Sequence, residues 1–206
     1  FELLRNHSIK DALNSFEGNE KDAIWVITQI EARRLDSDEI HPVEEKTCMI
    51  YLTSACNLRC PHCYLSAGKA LEKELSTKEI KDLLLLLHKE GIKELTFSGG
   101  EISVRKDLLE ILAFAKELSF ETKLLTNGTL WDTESIEVAS KLISAIQISV
   151  DGYSEEENAK IRGKGNFIKS LDTLDRFLEN GISAQLAITP FPEHGLRGKI
   201  EKYAQF

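Results

Sequence analysis

The chain has 206 residues, of which 42% are hydrophobic and 29% charged; this is the composition of a folded chain with one sizeable core and excludes a disordered one. A formal net charge of −8 and a pI near 5.3 leave no basic stripe to track a phosphate backbone, so no nucleic-acid partner is expected. No apolar run approaches the roughly 20 residues of a membrane-crossing helix, because the longest, Leu83 to Leu87, is closed by Asp82 and His88. No membrane partner is therefore expected, and with no secretory leader in these residues the expected compartment is the cytoplasm. The chain opens on Phe1 rather than Met and is expected to be part of a longer polypeptide.

Residues 1–46 differ from the rest of the chain. "SIKDALNSF" and "DAIWVITQIEARRL" read as two amphipathic helices, the second with Ile24, Ile27, Ile30 and Leu35 near helical spacing, and "DSDEIHPVEE" reads as a polar linker. Arg33 and Arg34 sit among acids and belong to a solvated face. A helical lid on the sheet and a separate partner-binding module both remain open for this segment.

From residue 47 short β-rich runs alternate with amphipathic helices. "TCMIYLT" (47–53) is a predicted strand, followed by a cysteine-rich loop. "STKEIKDLLLLLHKEG" is a predicted helix, with Ser76 and Glu79 at capping-box spacing and Gly91 at the stop. "KELTFSGG" is the second strand, "RKDLLEILAFAKEL" a helix, "ETKLLTNG" the third strand, and "DTESIEVASKLI" a helix that Asp132 caps. "AIQISVDG" is the fourth strand, a helical region covers about 154 to 180, "ISAQLAIT" is the fifth strand, and a last helix closes the chain. Such alternation implies a parallel sheet with right-handed crossovers. The strand-end loops "CNLRC", "SGGE", "TNGT", "SVDG" and "TPFPEHG" then converge on one site at the carboxyl edge of the sheet. A full eight-fold barrel takes about 250 residues, more than remain after residue 47, so an incomplete barrel is expected.

The chemistry concentrates in "CNLRCPHCY" (56–64). Four cysteines are present, Cys48, Cys56, Cys60 and Cys63, and the last three share this loop. Three thiols in one short loop favour a metal over disulfides. Structural zinc takes four ligands, usually as two pairs on two loops, and His62, directly beside Cys63, is badly placed to complete a tetrahedron. An iron–sulfur cluster also takes four thiolates as a rule. Three would leave one iron open to another ligand.

"CNLRCPHC" resembles the Cys-x3-Cys-x-aromatic-Cys signature of the radical S-adenosylmethionine (SAM) superfamily, with His62 in the aromatic position. The resemblance implies a [4Fe-4S] cluster on Cys56, Cys60 and Cys63, with SAM chelating the fourth iron. It further implies that Gly99-Gly100-Glu101 receives the methionyl amino group, that Ser149 binds the ribose, and that Arg162 in "IRGKGNF" pairs with the SAM carboxylate. Asn127 lines the same rim, and His62 lies near the adenine through its backbone and ring. Family members often carry Pro after the glutamate, where this chain has Ile102, which bears on the conformation of that loop. Asp151 reads equally as a site residue or as a cap of the following turn. Cys48 reads as a small buried apolar residue, Tyr64 as a packing residue, Trp25 and Trp131 as core or interface, and His194 as a loop histidine.

The implied fold is α/β, a partial (β/α)6-type TIM barrel broken off after about five βα units and preceded by a small N-terminal helical segment. The stretch from Ile148 to Ile182 is similar to the SPASM or twitch branch, many members of which mature ribosomally made peptides. Residues 1–46 would then be the remnant of a winged-helix module that grips a leader peptide, residues 47–206 the radical SAM domain, and a C-terminal domain with auxiliary iron–sulfur clusters is expected outside this chain, since no cysteine follows Cys63. The implied reaction is reductive cleavage of SAM to a 5′-deoxyadenosyl radical that abstracts hydrogen from a peptide, with an external electron donor such as flavodoxin or ferredoxin. A radical enzyme acting on a small molecule or cofactor precursor, and a non-catalytic iron–sulfur or zinc module, are the competing readings.

Overall fold

A computed structural model describes residues 46–189 and residue 202, all within the compact unit Lys46–Phe206. The two N-terminal helices with Trp25, the segment carrying His194 and most of the last predicted helix lie outside the described residues. The described elements are β1 (Thr47–Tyr51), α1 (Thr77–Lys89), β2 (Glu94–Ser98), a 3-10 turn (Ile102–Val104), α2 (Leu108–Glu117), β3 (Glu121–Thr126), α3 (Thr133–Ser140), β4 (Ala145–Ser149), α4 (Glu155–Arg162), α5 (Asn166–Glu179) and β5 (Ser183–Ala187).

The five strands are parallel and lie in chain order, β1-β2-β3-β4-β5. A doubly wound sheet reverses its order at a switch point, whereas a barrel is wound in one sense, so this order is that of an open, incomplete barrel. Period-two alternation then divides each strand between two faces. Ile50, Phe97, Leu124, Ile146 and Ala184 stand in one register row across the sheet. With Leu95 and Ile148 they meet Ile80, Leu84, Ile111, Leu112, Ile136 and Phe177 from the helices in one core. Each such side chain stabilises the fold by about 1.5–3 kcal/mol on burial. The opposite face carries Met49, Tyr51, Glu94, Thr96, Lys123, Gln147 and Gln185, all exposed or half-buried, with Lys123 and Glu94 paired at 2.9 Å.

Local chemistry sets the helix ends. Ser76 and Glu79 form the predicted capping box on α1, and Gly91 follows that helix at φ +80°. Asp132 caps α3 through the Ser135 amide at 2.7 Å. The helical region expected over 154–180 is two helices. Gly163 and Gly165 stand at φ +85° and +76° between them, a backbone that ends α4 and lets α5 start in a new direction. Trp131 packs edge-on to Phe177 and donates Nε1–H to Thr126 Oγ1 at 3.1 Å, a core role as expected. Cys48 is half-buried against the core.

Candidate functional site

All five strands run the same way, so the loops after β1 to β4 and the end of β5 share one edge of the sheet. The cysteine loop after β1 is closed at its base by Cys56 N–H to Gly68 O (3.0 Å) and Gly68 N–H to Ser54 O (2.8 Å). Cys60 O accepts from Cys63 N–H at 3.1 Å, a tight turn with Pro61 at the position where a fixed φ is favourable. A second turn follows, Ser66 N–H to Cys63 O at 2.9 Å, with Ser66 at φ +47°. Glu74 braces the base, accepting from Ser54 N–H (2.7 Å), Leu71 N–H (2.9 Å) and Thr53 Oγ1 (2.8 Å). Burial pushes the Glu74 carboxyl up, but these donors outweigh it and hold it below its ordinary range.

Cys56, Cys60 and Cys63 are all half-buried free thiols. Backbone N–H groups point at two of them, Leu58 to Cys56 Sγ and Ala67 to Cys63 Sγ, each at 3.4 Å. Burial pushes the Cys56 and Cys60 thiols up, and the positive charge of Arg162 pulls against it at Cys60.

The loop after β2 presses against this base. Gly100 N–H donates to Thr53 O at 2.7 Å and Glu101 N–H to Ala55 O at 2.8 Å. A Cβ on Gly99 would stand 2.4 Å from Thr53 O, and one on Gly100 would stand 2.2 Å from Ala55 O. The glycine pair thus admits the chain's own backbone at the foot of the cysteine loop. Glu101 is 1% exposed, its Oε1 taking Ser103 N–H (3.1 Å), Ser103 Oγ (2.6 Å) and Thr126 Oγ1 (2.6 Å), and its Oε2 taking Asn127 N–H (2.6 Å). Ile102, where proline is common, is fully buried in the core and begins the 3-10 turn.

Behind β3, Asn127 belongs to a closed ring of hydrogen bonds. Its Nδ2 donates to Asn57 Oδ1 (2.9 Å), Asn57 Nδ2 donates to Thr129 Oγ1 (2.8 Å), and Thr129 Oγ1 returns to Asn127 Oδ1 (2.7 Å). The same Nδ2 stands 4.0 Å from Cys56 Sγ. The ring therefore joins the rim of β3 to the cysteine loop. From α5, Ser170 and Thr173 donate to the carbonyls of Asn127 (2.7 Å) and Gly128 (2.6 Å). Ser149 ends β4 half-buried, in register with Ala187.

Asp151 is buried and joins three segments. Oδ2 lies 2.6 Å from Arg162 Nε at the end of α4 and 3.2 Å from His62 Nε2 in the cysteine loop, while Oδ1 accepts Thr189 N–H at 2.9 Å. Burial pushes the His62 imidazole below its ordinary value against the pull of Asp151. The following helix is capped by Ser154 rather than by Asp151. Tyr64 departs from its expected packing role: it is 77% exposed, and its hydroxyl is 3.2 Å from that of Tyr51, a pairing that pushes its pKa up to about 12. Glu74, Asn57, Thr129, Ser170 and Asn158 escaped the reading of the sequence. A polar residue beside "CNL" or "TNG" was the available signal for Asn57 and Thr129, and the others carry none.

Among the described residues, no three His, Cys, Asp or Glu side chains converge as a single metal ion requires. Three separate thiols, two with N–H donors aimed at sulfur, fit an iron–sulfur cluster in which each ligated iron takes one thiolate.

A one-sense parallel α/β sheet with a cluster-type thiol loop at its carboxyl edge defines the class of domain. The chain belongs to the radical SAM superfamily, whose family model matches residues 50–197 and whose members use a [4Fe-4S] cluster and SAM. It is 34% identical to the sporulation killing factor maturation protein SkfB of Bacillus subtilis (strain 168), over 69% of this chain and 35% of that protein. It is 41% identical to Fe-coproporphyrin III synthase of Methanosarcina barkeri, over 67% of this chain and 35% of that protein. The fold is similar to that of Streptococcus suis SuiB bound to S-adenosylmethionine, with a TM-score of 0.65 at 19% identity, over 98% of this chain and 46% of SuiB. The chain thus spans about a third of the length of the two curated relatives. Among the described residues no helix is long and apolar enough to cross a membrane.

Proposed function

We propose that this chain is the SAM-cleaving part of a radical enzyme that matures a ribosomally synthesised peptide, by crosslinking or a related change. The observation that carries it is three half-buried thiols on one loop at the carboxyl edge of the sheet, with the Arg162 guanidinium joined to that loop through Asp151, 2.6 Å from Arg162 Nε and 3.2 Å from His62 Nε2. Held by Cys56, Cys60 and Cys63, a reduced cluster would supply the one-electron reduction that cleaves SAM for hydrogen abstraction from the substrate.

The chain's own residues bind and orient. Cys56, Cys60 and Cys63 hold three irons. Gly99 and Gly100 set the backbone against which the methionyl end lies, and Glu101 Oε2, with one donor in place, keeps acceptor capacity for the ammonium. Ser149 takes the ribose, Arg162 the carboxylate, and His62 flanks the adenine, with Asn127 and Asp151 on the same rim. A flavodoxin or ferredoxin supplies the electron, the compartment is the cytoplasm, and neither nucleic acid nor membrane is a partner. Residues 1–46 hold the leader of the peptide.

The deciding experiment is anaerobic reconstitution with iron and sulfide, then a strong reductant and SAM, with assay of 5′-deoxyadenosine and methionine. Both products are expected. Cys60→Ala is expected to abolish cluster assembly, and a full complement of iron in that variant would defeat the assignment. A second reading, action on a small molecule or cofactor precursor, is favoured by the 41% identity to Fe-coproporphyrin III synthase. Binding of a leader peptide to residues 1–46 separates the two.

A further inference from the structure

Arg162 can serve as a carboxylate contact only if something holds so long a side chain in place. An arginine side chain loses much rotamer freedom when it is ordered, and a fork that must meet a carboxylate in one orientation has to be fixed beforehand. Arg162 has five N–H donors, and its Nε lies 2.6 Å from Asp151 Oδ2 in an ion pair that is not aligned as a hydrogen bond. Its side chain is only 11% exposed, and its terminal nitrogens form no hydrogen bond to any of the described residues. The contact uses the side of the guanidinium and leaves its end available.

Asp151 is itself fixed. Its side chain has no exposed surface, Oδ1 accepts Thr189 N–H at 2.9 Å, and its own N–H donates to Asn158 Oδ1 at 3.0 Å. Asn158 is fully buried, and a Cβ on the neighbouring Gly152 would stand 2.3 Å from the Asn158 nitrogen, so the turn cannot shift. The oxygen that meets Arg162 also lies 3.2 Å from His62 Nε2, between Cys60 and Cys63. One atom therefore ties the end of α4 to the cluster loop. Direct contact with SAM does not suit Asp151, because both its oxygens are turned to the protein and an anion beside the SAM carboxylate would repel it.

We propose that Asp151 is a positioning residue for SAM capture: it holds Arg162 by Nε and His62 by Nε2 on one oxygen, so that the two terminal nitrogens of Arg162 meet the SAM carboxylate as a ready-made fork. The proposal rests on the reading of Arg162 as the carboxylate contact. An isosteric Asp151→Asn keeps the acceptor for Thr189 but removes the charge that fixes the guanidinium.

The test is SAM affinity, by equilibrium binding to the reconstituted protein, for the wild type, Asp151→Asn, Arg162→Ala and the double variant, each with its iron and sulfide content measured. Each single change is expected to weaken binding by about tenfold or more, and Asp151→Asn made in the Arg162→Ala background by less than about twofold. A merely structural role would persist undiminished in that background, and this result overturns the proposal while leaving Arg162 in the site. The same holds if Asp151→Asn binds SAM as the wild type does. Unchanged affinity in Arg162→Ala overturns the underlying reading and the proposal with it. If Asp151→Asn fails to assemble a cluster, Arg162→Lys decides: a lysine can pair with Asp151 but offers no second pair of donors, so it is expected to bind as weakly as Arg162→Ala. Wild-type affinity in Arg162→Lys overturns the proposal.

Discussion

Replacing Glu101 by Gln separates two roles of this carboxylate. Its oxygens are buried and receive four donors, Ser103 N–H at 3.1 Å and Ser103 Oγ, Thr126 Oγ1 and Asn127 N–H at 2.6 Å each. A glutamine of the same shape loses the charge and puts an NH2 group where one oxygen was. At the Oε2 position that group faces Asn127 N–H, which has no way to accept. At the Oε1 position it faces Ser103 N–H and Thr126 Oγ1, and that hydroxyl already accepts from Gly128 N–H and Trp131 Nε1–H, each at 3.1 Å. Either orientation sets two donors against each other. Losing a charge-assisted bond and leaving a buried donor unpaired together cost about 2–4 kcal/mol once the surviving amide oxygen is allowed for. Urea unfolding of the cluster-free, SAM-free chain, followed by circular dichroism under reducing conditions, reads this directly as a lower midpoint at unchanged slope. Stability within about 0.5 kcal/mol of wild type would refute the crosslinking role and confine Glu101 to the cofactor.

Two further changes test the frame beneath the site. Arg105 beside Asp107 holds that carboxyl down to about 2, below its ordinary 3.8. A depressed carboxyl stabilises the fold above the unfolded value and loses that contribution as pH falls from about 3.8 through about 2; the stability gap between wild type and Asp107→Asn should therefore close on acidification to pH 2, and a gap independent of pH would show that the pair does not act through this charge. Gly100→Ala places a Cβ 2.2 Å from Ala55 O and 2.8 Å from Ser54 O, both backbone atoms, and is expected to destabilise the chain by about 1–3 kcal/mol and reduce iron uptake by the neighbouring loop. A variant as stable and as iron-replete as the wild type would show that the two loops do not need this contact.

The strands, the caps at Ser76 and Asp132 and the carboxyl-edge loops were legible because each is written in local periodicity or in residues three apart. The break between α4 and α5 was written there too, in Gly163 and Gly165, but a helical pattern on both sides masked it. What the sequence hides is pairing at long range. Thr53 meets Glu74 across 21 positions and Ser170 meets Asn127 across 43, and no spacing rule marks either. The Gly99-Gly100 pair announces a close approach without naming what approaches, and here it is the foot of the cysteine loop. For Asp151, no spacing in the sequence shows that Arg162 and His62 meet one of its oxygens. Tyr64 was misjudged because an aromatic ring in a loop says nothing about whether neighbours surround it.

These long-range pairs share a physical reason. The backbone ladder of a parallel sheet ends with its strands, so loop N–H groups at the carboxyl edge need acceptors from elsewhere. Carboxylates suit that task because each has two oxygens, about four acceptor sites and no donor when ionised. Glu74 gathers the amides of Ser54 and Leu71, Glu101 those of Ser103 and Asn127, and Asp151 that of Thr189 with the side chains of Arg162 and His62. Each thereby fixes a loop before any ligand arrives. With acids serving as the fasteners, a ligand that brings its own carboxylate needs a cation beside it to offset their charge. On the proposed reading Arg162, in an ion pair with Asp151 through Nε, is that cation, and the frame and the site would then depend on the same buried charge.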